Sequence, residues 1–424
     1  MNPKNLFKIK SGTLNISDID IGTIVKKTGS PLYIYDAAIM HSQMKKLKSA
    51  MPKEVTIHYA VKANPNMAVA EVFQKLGAGA EVASGSELTL AIKAGFKPEK
   101  IIFAGPGKSE QELKLAIKNK IGSINVESET ELLRVLKAST AKRPTPIALR
   151  VNLDFALKKG EIMIGGPRKF GIDETQIKSL AKKALNDSCV ELTGFHCFPG
   201  TQLANAKTLA TAYRQFAAWV KITATNLKMN VKTINFGGGL GIPFKDSDAE
   251  LNVKALGKSL NTIINDLRLS PLFSKTRFLI EPGRYLVGPS GIYISRITDI
   301  KKSRGETFVI CEGGIHHALV PIVLNKNYPT AILNKMNLQN SKTVTIAGPL
   351  CTSADQFSRR VKLPQAEIGD LLGVFNSGAY GYTAGMTLFL SHPTPPEALV
   401  ENGNLYIIRK PKKPEHGTRS RIKL

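Results

Sequence analysis

The sequence lacks the features of a membrane-spanning, secreted or disulfide-stabilised protein. Its 424 residues contain no run of about 18 apolar residues, which a transmembrane helix needs. The N-terminal segment has no apolar run of roughly 7–15 residues, so we expect no secretory signal. The four cysteines, Cys189, Cys197, Cys311 and Cys351, form no CxxC pair. This pattern argues against a zinc site or a disulfide framework and predicts a cytoplasmic protein.

Acidic residues are scarce, with 33 Asp and Glu against 59 Lys and Arg, which gives a net charge of +26. Such an excess favours an acidic partner, an anionic surface or nucleic acid. Nucleic-acid binding is not expected, because the sequence has no zinc-finger, RNP or arginine-rich signature. The one dense basic run is the tail from residue 409. The charge therefore indicates either attraction to an acidic partner or a generally basic surface.

Short β-type runs alternate with amphipathic helical patterns between residues 55 and 285. We predict eight strands, at 55–61, 78–84, 100–105, 123–128, 146–152, 192–198, 233–239 and 277–283. Three helix starts carry the spacing of a capping box, in which a serine precedes a glutamate by three residues. These pairs are Ser84 with Glu87, Ser109 with Glu112, and Ser128 with Glu131.

Eight strands alternating with helices predict an α/β fold, a closed (β/α)8 TIM barrel over residues 30–285. The alternative is an open doubly wound sheet, although no GxGxxG opens a βαβ unit. From residue 286 the pattern becomes mainly β-stranded, as in "GIYISRITDIKK" and "KTVTIAGPLC". We predict a second, mainly β domain made of residues 1–29 plus 286–424.

Three of the predicted barrel strands end in groups suited to one cofactor. Lys62 follows the first strand, where lost hydration would lower its pKa and free its amine for Schiff-base chemistry. Gly237–Gly239 follow the seventh strand and offer backbone amides to a phosphate. Glu281, Gly283 and Arg284 follow the eighth. Pyridoxal 5'-phosphate needs such an amine, such phosphate donors and a carboxylate for its ring nitrogen.

The motifs "YAVKANPN", "GGGLG", "EPGR", "GPLCTSAD" and "NSGAYG" occur in one order along the chain. With them the sequence resembles the fold-type III pyridoxal-phosphate decarboxylases, the group that contains diaminopimelate and ornithine decarboxylases. The resemblance covers nearly the whole chain. It implies a barrel with a β domain, pyridoxal phosphate as cofactor, and decarboxylation of an amino acid.

The resemblance also implies roles for individual residues. Lys62 would bind the cofactor covalently, with Glu81 in contact with it, and Glu281 would pair with the ring nitrogen. The phosphate would be held by Gly237, Gly238, Gly239, Gly283, Arg284, Tyr380 and Thr201. Cys351 would come from the second subunit of a homodimer with shared active sites and would protonate the carbon that loses carbon dioxide.

The departures from the family pattern concern the substrate. Phe198 replaces the histidine that stacks on the cofactor, so stacking remains but hydrogen bonding is lost. Thr352 replaces the glutamate that pairs with a distal ammonium, and "EGGIHHALVPIVL" contains no arginine for a distal carboxylate. His316, His317 and Arg150 are the remaining candidates for substrate contact.

Several motifs, among them "GGIHH", "VTIAGPLCT" and "HPTPPE", resemble a narrower branch. It includes the butirosin-pathway decarboxylase, which acts on glutamate carried by an acyl carrier protein, and exosortase-associated decarboxylases lie close to it. Acidic carrier proteins would suit the positive charge. The alternatives are a diaminopimelate decarboxylase or another decarboxylase of free amino acids, an amino-acid racemase, and a non-catalytic homologue. Glu281 argues against the racemase, since enzymes resembling alanine racemase place an arginine at the ring nitrogen.

Overall fold

The computed structural model describes residues 3–154, 161–162, 165–244, 248–415 and 417. The chain forms two compact units. The barrel unit comprises Ile39–Pro243 and Ala249–Gly288, and the β unit comprises Met1–Ala38, Phe244–Asp248 and Pro289–Leu424. The end of the basic tail, at 416 and 418–424, lies outside the described residues. No helix in the described ranges is long and apolar enough to cross a membrane.

The barrel unit is a closed cylinder of eight parallel strands, which confirms the predicted fold class. The strands are β1 (Val55–Ala60), β2 (Gly79–Val82), β3 (Ile101–Phe103), β4 (Ser123–Val126), β5 (Thr145–Asn152), β6 (Val190–His196), β7 (Thr233–Asn235) and β8 (Arg277–Ile280). Each strand pairs in parallel with the next, and β8 pairs with β1. This closure leaves none of the eight strands as an open edge and excludes the doubly wound alternative.

A helix follows every strand of the barrel. The helices are α1 (Met67–Lys75), α2 (Gly85–Lys93), α3 (Glu110–Asn119), α4 (Glu129–Ala138), α5 (Glu174–Leu185), α6 (Ala206–Leu227), α7 (Val253–Arg268) and α8 (Arg284–Val287). A further helix, Ala37–Ala50, precedes β1. The strand order and the helices place the carboxyl ends of all eight strands at one mouth of the barrel.

Only one of the three predicted capping boxes forms completely. Ser109 accepts a hydrogen bond from the Glu112 amide, and the Glu112 carboxylate accepts one from the Ser109 amide. Ser84 and Ser128 cap α2 and α4, but their glutamates bind elsewhere. In α4, Glu131 accepts a hydrogen bond from the buried Lys108 at 2.7 Å, because a buried ammonium is costly without a carboxylate.

The β unit is built around the long strand Gly291–Ser303. It pairs antiparallel with Leu32–Asp36, Glu306–Cys311 and Leu371–Phe375. The other strands of this sheet are Thr330–Ile332, Lys342–Ala347, Gln356–Leu363, Glu397–Glu401 and Asn404–Arg409. Three short strands, Lys8–Lys10, Thr13–Ile16 and Ile19–Asp20, form a separate sheet, and helices occupy Ile21–Thr28 and Val320–Val323.

Candidate active site

Lys62 lies at the carboxyl mouth of the barrel, in a short 3-10 turn that follows β1. Its Nζ donates to both carboxylate oxygens of Glu81 on β2, at 2.8 and 2.7 Å. The Lys62 side chain is 39% exposed, whereas the Glu81 side chain is 1% exposed. Burial raises the pKa of Glu81, and the Lys62 charge opposes this only in part. The pair therefore holds a solvent-accessible amine against a buried carboxylate.

Glu281 follows β8 and is fixed by side chains from two other strands. Asn235 Nδ2 donates to its Oε1 at 2.6 Å, and His196 Nε2 lies 3.3 Å from its Oε2. Burial alone would raise the pKa of Glu281, but His196, Lys62 and the Asn235 hydrogen bond outweigh it and lower the pKa to about 2. Two buried carboxyl groups of one barrel thus have pKa values shifted in opposite directions. Glu281 is a permanent negative charge at neutral pH.

The ring orientation of His196 follows from a third strand. Asn125 on β4 places its amide nitrogen 3.1 Å from His196 Nδ1. An amide nitrogen only donates, so Nδ1 accepts and the proton of a neutral ring lies on Nε2, facing Glu281. Asn125 thus orients the ring so that Nε2 faces the Glu281 carboxylate.

The glycine run after β7 is required by backbone packing. A Cβ at Gly238 would lie 2.2 Å from the Glu281 carbonyl oxygen, and one at Gly239 would lie 2.0 Å from the Gly200 oxygen. The amide of Gly237 donates to Asn235 Oδ1 at 2.9 Å. The amides of Gly238 and Gly239 donate to no described residue and remain available to an anion.

The other barrel candidates surround this run. The Phe198 ring lies against Gly237, since a Cβ there would meet its Cδ2 at 3.2 Å. Thr201 lies in the short strand Gly200–Thr201. A Cβ at Gly283 would lie 2.8 Å from Ala63 in the turn that carries Lys62, and Arg284, half-buried, begins α8.

The remaining five candidates lie in the β unit. Cys351 is an exposed free thiol, and Thr352 beside it is half-buried. Their loop is held by Asp355, whose carboxylate accepts hydrogen bonds from the amides of Leu350 and Ile315 at 2.8 and 2.7 Å. Asp355 is thus committed to the main chain. Tyr380 is half-buried with a left-handed backbone, φ 55°.

The two adjacent histidines are both buried. His317 contacts the Tyr293 hydroxyl at 3.0 Å through Nδ1 and the Pro393 carbonyl at 2.9 Å through Nε2, so both of its nitrogens are committed within the unit. The His316 ring lies against the His317 ring, with ring centres 3.7 Å apart and an interplanar angle of 46°. Neither nitrogen of His316 has a hydrogen-bond partner in the described part of the chain. Burial and the neighbouring histidines lower the pKa of His316 to about 3. Substrate contact by these residues stays a prediction.

Known proteins resemble this chain in sequence over nearly its whole length. Residues 37–288 match the family described as "Pyridoxal-dependent decarboxylase, pyridoxal binding domain". The chain belongs to the pyridoxal-dependent decarboxylases. It is 32% identical to the L-glutamyl-[BtrI acyl-carrier protein] decarboxylase of Niallia circulans, over 94% of this chain and 95% of that protein.

This decarboxylase is also similar to diaminopimelate decarboxylases. The Aquifex aeolicus enzyme is 31% identical over 95% of this chain and 94% of its own. The crystal structure of the M. jannaschii enzyme in complex with L-lysine superposes with a TM-score of 0.86, at 27% identity, covering 97% of this chain and 96% of that one. These comparisons confirm the family, the barrel with its β domain, and pyridoxal phosphate as the cofactor.

The barrel mouth of this decarboxylase fits the cofactor. It offers an accessible amine on Lys62, uncommitted amides on Gly238 and Gly239, and a buried ionised carboxylate on Glu281. Sequence reasoning missed Asn235 and Asn125, which orient Glu281 and His196. The sequence signal for both is an asparagine inside an otherwise apolar strand. A buried asparagine is destabilising unless it is hydrogen-bonded, so such a residue indicates a partner nearby.

Arg150, predicted as a substrate contact, lies on β5 of the decarboxylase and is paired with Glu127. Its Nη1 donates to Glu127 Oε1 at 2.8 Å, and both side chains are nearly inaccessible to solvent. Glu127 also accepts the amides of Gly105 and Gly171. This carboxylate therefore holds Arg150 and two loops of the barrel mouth together.

We expect Arg150→Met to lower the free energy of unfolding by about 3–5 kcal/mol, because Glu127 would be left as a buried charge without its cation. Thermal and denaturant unfolding of the holoenzyme would measure this. Arg134→Met, on the exposed face of α4, is the control and should change little. Adding Glu127→Gln to Arg150→Met should recover part of the loss. A variant of unchanged stability and a raised KM would instead make Arg150 a substrate contact.

Proposed function

We propose that this decarboxylase acts on glutamate carried as a thioester by an acyl carrier protein. The observation that carries the proposal is the lack of charged groups for the distal end of a free diamino acid. Between Glu312 and Leu324 there is no lysine or arginine. The Niallia circulans relative, whose name states glutamate on an acyl carrier protein as substrate, supports the same substrate.

The β unit supports an uncharged distal group on the substrate. Thr352 offers a hydroxyl where a distal ammonium would need a carboxylate, and the nearby Asp355 is committed to two backbone amides. His317 is committed to Tyr293 and Pro393. The pantetheine arm of a carrier protein is neutral and needs no charged anchor.

The charge of the chain supports an acidic partner. A net charge of +26 would raise the encounter rate with an acidic carrier protein through long-range attraction. Salt screens this attraction, since the Debye length falls to about 10 Å at ~0.1 M ionic strength. A small free amino acid would gain far less from it.

The residues of the site would divide the reaction between them. Bound pyridoxal phosphate supplies the sink for the electron pair that remains when carbon dioxide leaves. The Lys62 amine would bind the cofactor and later release the product, and the Glu281 carboxylate would keep a proton on the ring nitrogen. We further propose a homodimer in which Cys351 of one subunit completes the other subunit's site and delivers a proton to the reacting carbon.

The test is carbon dioxide release by the holoenzyme from a substrate panel. The panel holds glutamyl-loaded acyl carrier protein, glutamyl-pantetheine, free L-glutamate, meso-diaminopimelate, lysine, ornithine and arginine. We expect release from the loaded carrier, with a kcat/KM that falls as ionic strength rises. Glutamyl-pantetheine is the matched control, because it keeps the thioester and loses the acidic protein, so its kcat/KM should depend little on salt.

Release from meso-diaminopimelate with none from the loaded carrier would contradict the proposal. Relatives about 30% identical carry the name diaminopimelate decarboxylase, so this is the leading alternative. Racemisation without gas release would point to a racemase, which the ionised Glu281 disfavours.

A further inference from the structure

A cavity lies in the barrel unit at the amino ends of the strands, opposite the mouth that carries Lys62. It has a volume of about 310 Å³ and is called here the amino-end cavity. Its apolar walls include Ile102 on β3 and Leu279 on β8. It shares no lining residue with the candidate active site. It therefore cannot be explained by the cofactor or the amino acid substrate.

Two residues that line the amino-end cavity each carry a buried polar atom with no hydrogen-bond partner in the described part of the chain. They are His58 on β1, through Nδ1, and Ser123 on β4, through Oγ, and each residue is 6% exposed. The His58 ring faces Gly79 on β2, where a Cβ would lie 2.3 Å from it. A buried polar group without a hydrogen-bond partner destabilises the folded state. Glycine at position 79 therefore leaves space for the His58 imidazole, whose Nδ1 neither accepts nor donates a hydrogen bond within the described residues.

Four cations line the same cavity, and all four are exposed. They are Lys48, Lys53, Lys100 and Arg277. Within the described ranges none of them forms a salt bridge, although Glu99 also lines the cavity. His58 adds no charge at neutral pH, because burial lowers its pKa to about 4. The outer part of the cavity is therefore cationic and the inner part is polar but uncharged.

We propose that the amino-end cavity binds a small organic anion. The carboxylate of this ligand lies among the four cations, its aliphatic body contacts Ile102 and Leu279, and an uncharged hydroxyl or carbonyl group reaches His58 and Ser123. The volume equals that of roughly ten water molecules at ~30 Å³ each, which suits a ligand of about ten non-hydrogen atoms.

Calorimetric titration of the holoenzyme with 6-hydroxyhexanoate, hexanoate and 1,6-hexanediol tests the proposal. The bound cofactor keeps the probes out of the phosphate site. We expect 6-hydroxyhexanoate to bind at one site per chain with a Kd of ~1 mM or tighter. Hexanoate lacks the inner hydroxyl and hexanediol lacks the carboxylate, so each should bind about tenfold more weakly.

Two variants locate the binding. Ser123→Ala should weaken 6-hydroxyhexanoate binding, leave hexanoate unchanged, and keep or raise the melting temperature, because it removes an unsatisfied hydroxyl. Lys100→Met with Arg277→Met should weaken both anions and leave hexanediol unchanged. Lys178→Met removes one exposed positive charge on α5, away from the cavity. It controls for the loss of one charge and should leave the Kd of all three probes unchanged. Absence of binding, or binding that neither variant changes, would overturn the proposal.

Discussion

Lys62→Ala is expected to lower kcat by at least ~10³-fold, the scale of losing a positioned proton-transfer group, and to abolish covalent attachment of the cofactor. The reason is that Lys62 carries the accessible amine at the barrel mouth, held by Glu81 at 2.7 and 2.8 Å. Steady-state decarboxylation and the visible absorption of the lysine-bound cofactor would measure the two effects.

Lys62→Arg separates the amine from the charge. A guanidinium keeps the ion pair with Glu81, but its pKa is too high for it to act as a nucleophilic amine. We expect this variant to be as inactive as Lys62→Ala and close to the parent in melting temperature, whereas the alanine variant leaves Glu81 buried without a cation. If either variant keeps more than about a tenth of the parent kcat, a group other than Lys62 supplies the reactive amine.

Glu281→Gln is expected to lower kcat by ~10²–10³-fold, the range seen when one preorganised electrostatic group is removed. Glutamine keeps the size of the side chain and can still accept the hydrogen bond from Asn235, so cofactor content should stay near the parent value. Only the negative charge is lost. The measurement is kcat together with the cofactor-to-protein ratio.

The pH dependence supplies a second readout for Glu281. Its pKa is lowered to about 2, so the carboxylate stays ionised above that value and loses its charge only when the pH falls towards it. The parent kcat should therefore show no ionisation of Glu281 between pH 5 and 9.

The control for Glu281→Gln is Glu71→Gln on α1. Glu71 is half-buried and lies outside the site, so its substitution should leave kcat unchanged. Equal effects of the two substitutions would remove Glu281 from the mechanism.

The strand order of the barrel could be predicted from sequence because each strand is short, apolar and followed by an amphipathic helix. All eight predicted ranges overlap an observed strand. The location of the candidate site could be predicted because functional residues of such barrels follow the strand ends, and Lys62 and Glu281 follow β1 and β8. Both signals are local in the chain, so one sequence is enough to show them.

Side-chain partners that are distant along the chain could not be predicted. Glu131 has the spacing of a capping box, yet its carboxylate binds Lys108. Arg150 is a predicted substrate contact, and the sequence does not show that Glu127, which follows the neighbouring strand β4, binds it. The strand Gln356–Leu363 was missed because its charges hide the alternation. For the two side-chain pairs, three-dimensional packing determines the partner.

The loop that carries Cys351 and Thr352 owes its shape to main-chain amides bound by Asp355. Side chains at its tip can therefore change while the loop keeps its course. The Cys351 side chain is exposed, so its exchange leaves both hydrogen bonds of Asp355 in place. Glu281 has no such independence, because Asn235 and His196 on two other strands contact its carboxylate. A change at Glu281 therefore disturbs several strands at once, whereas a change at the loop tip stays local.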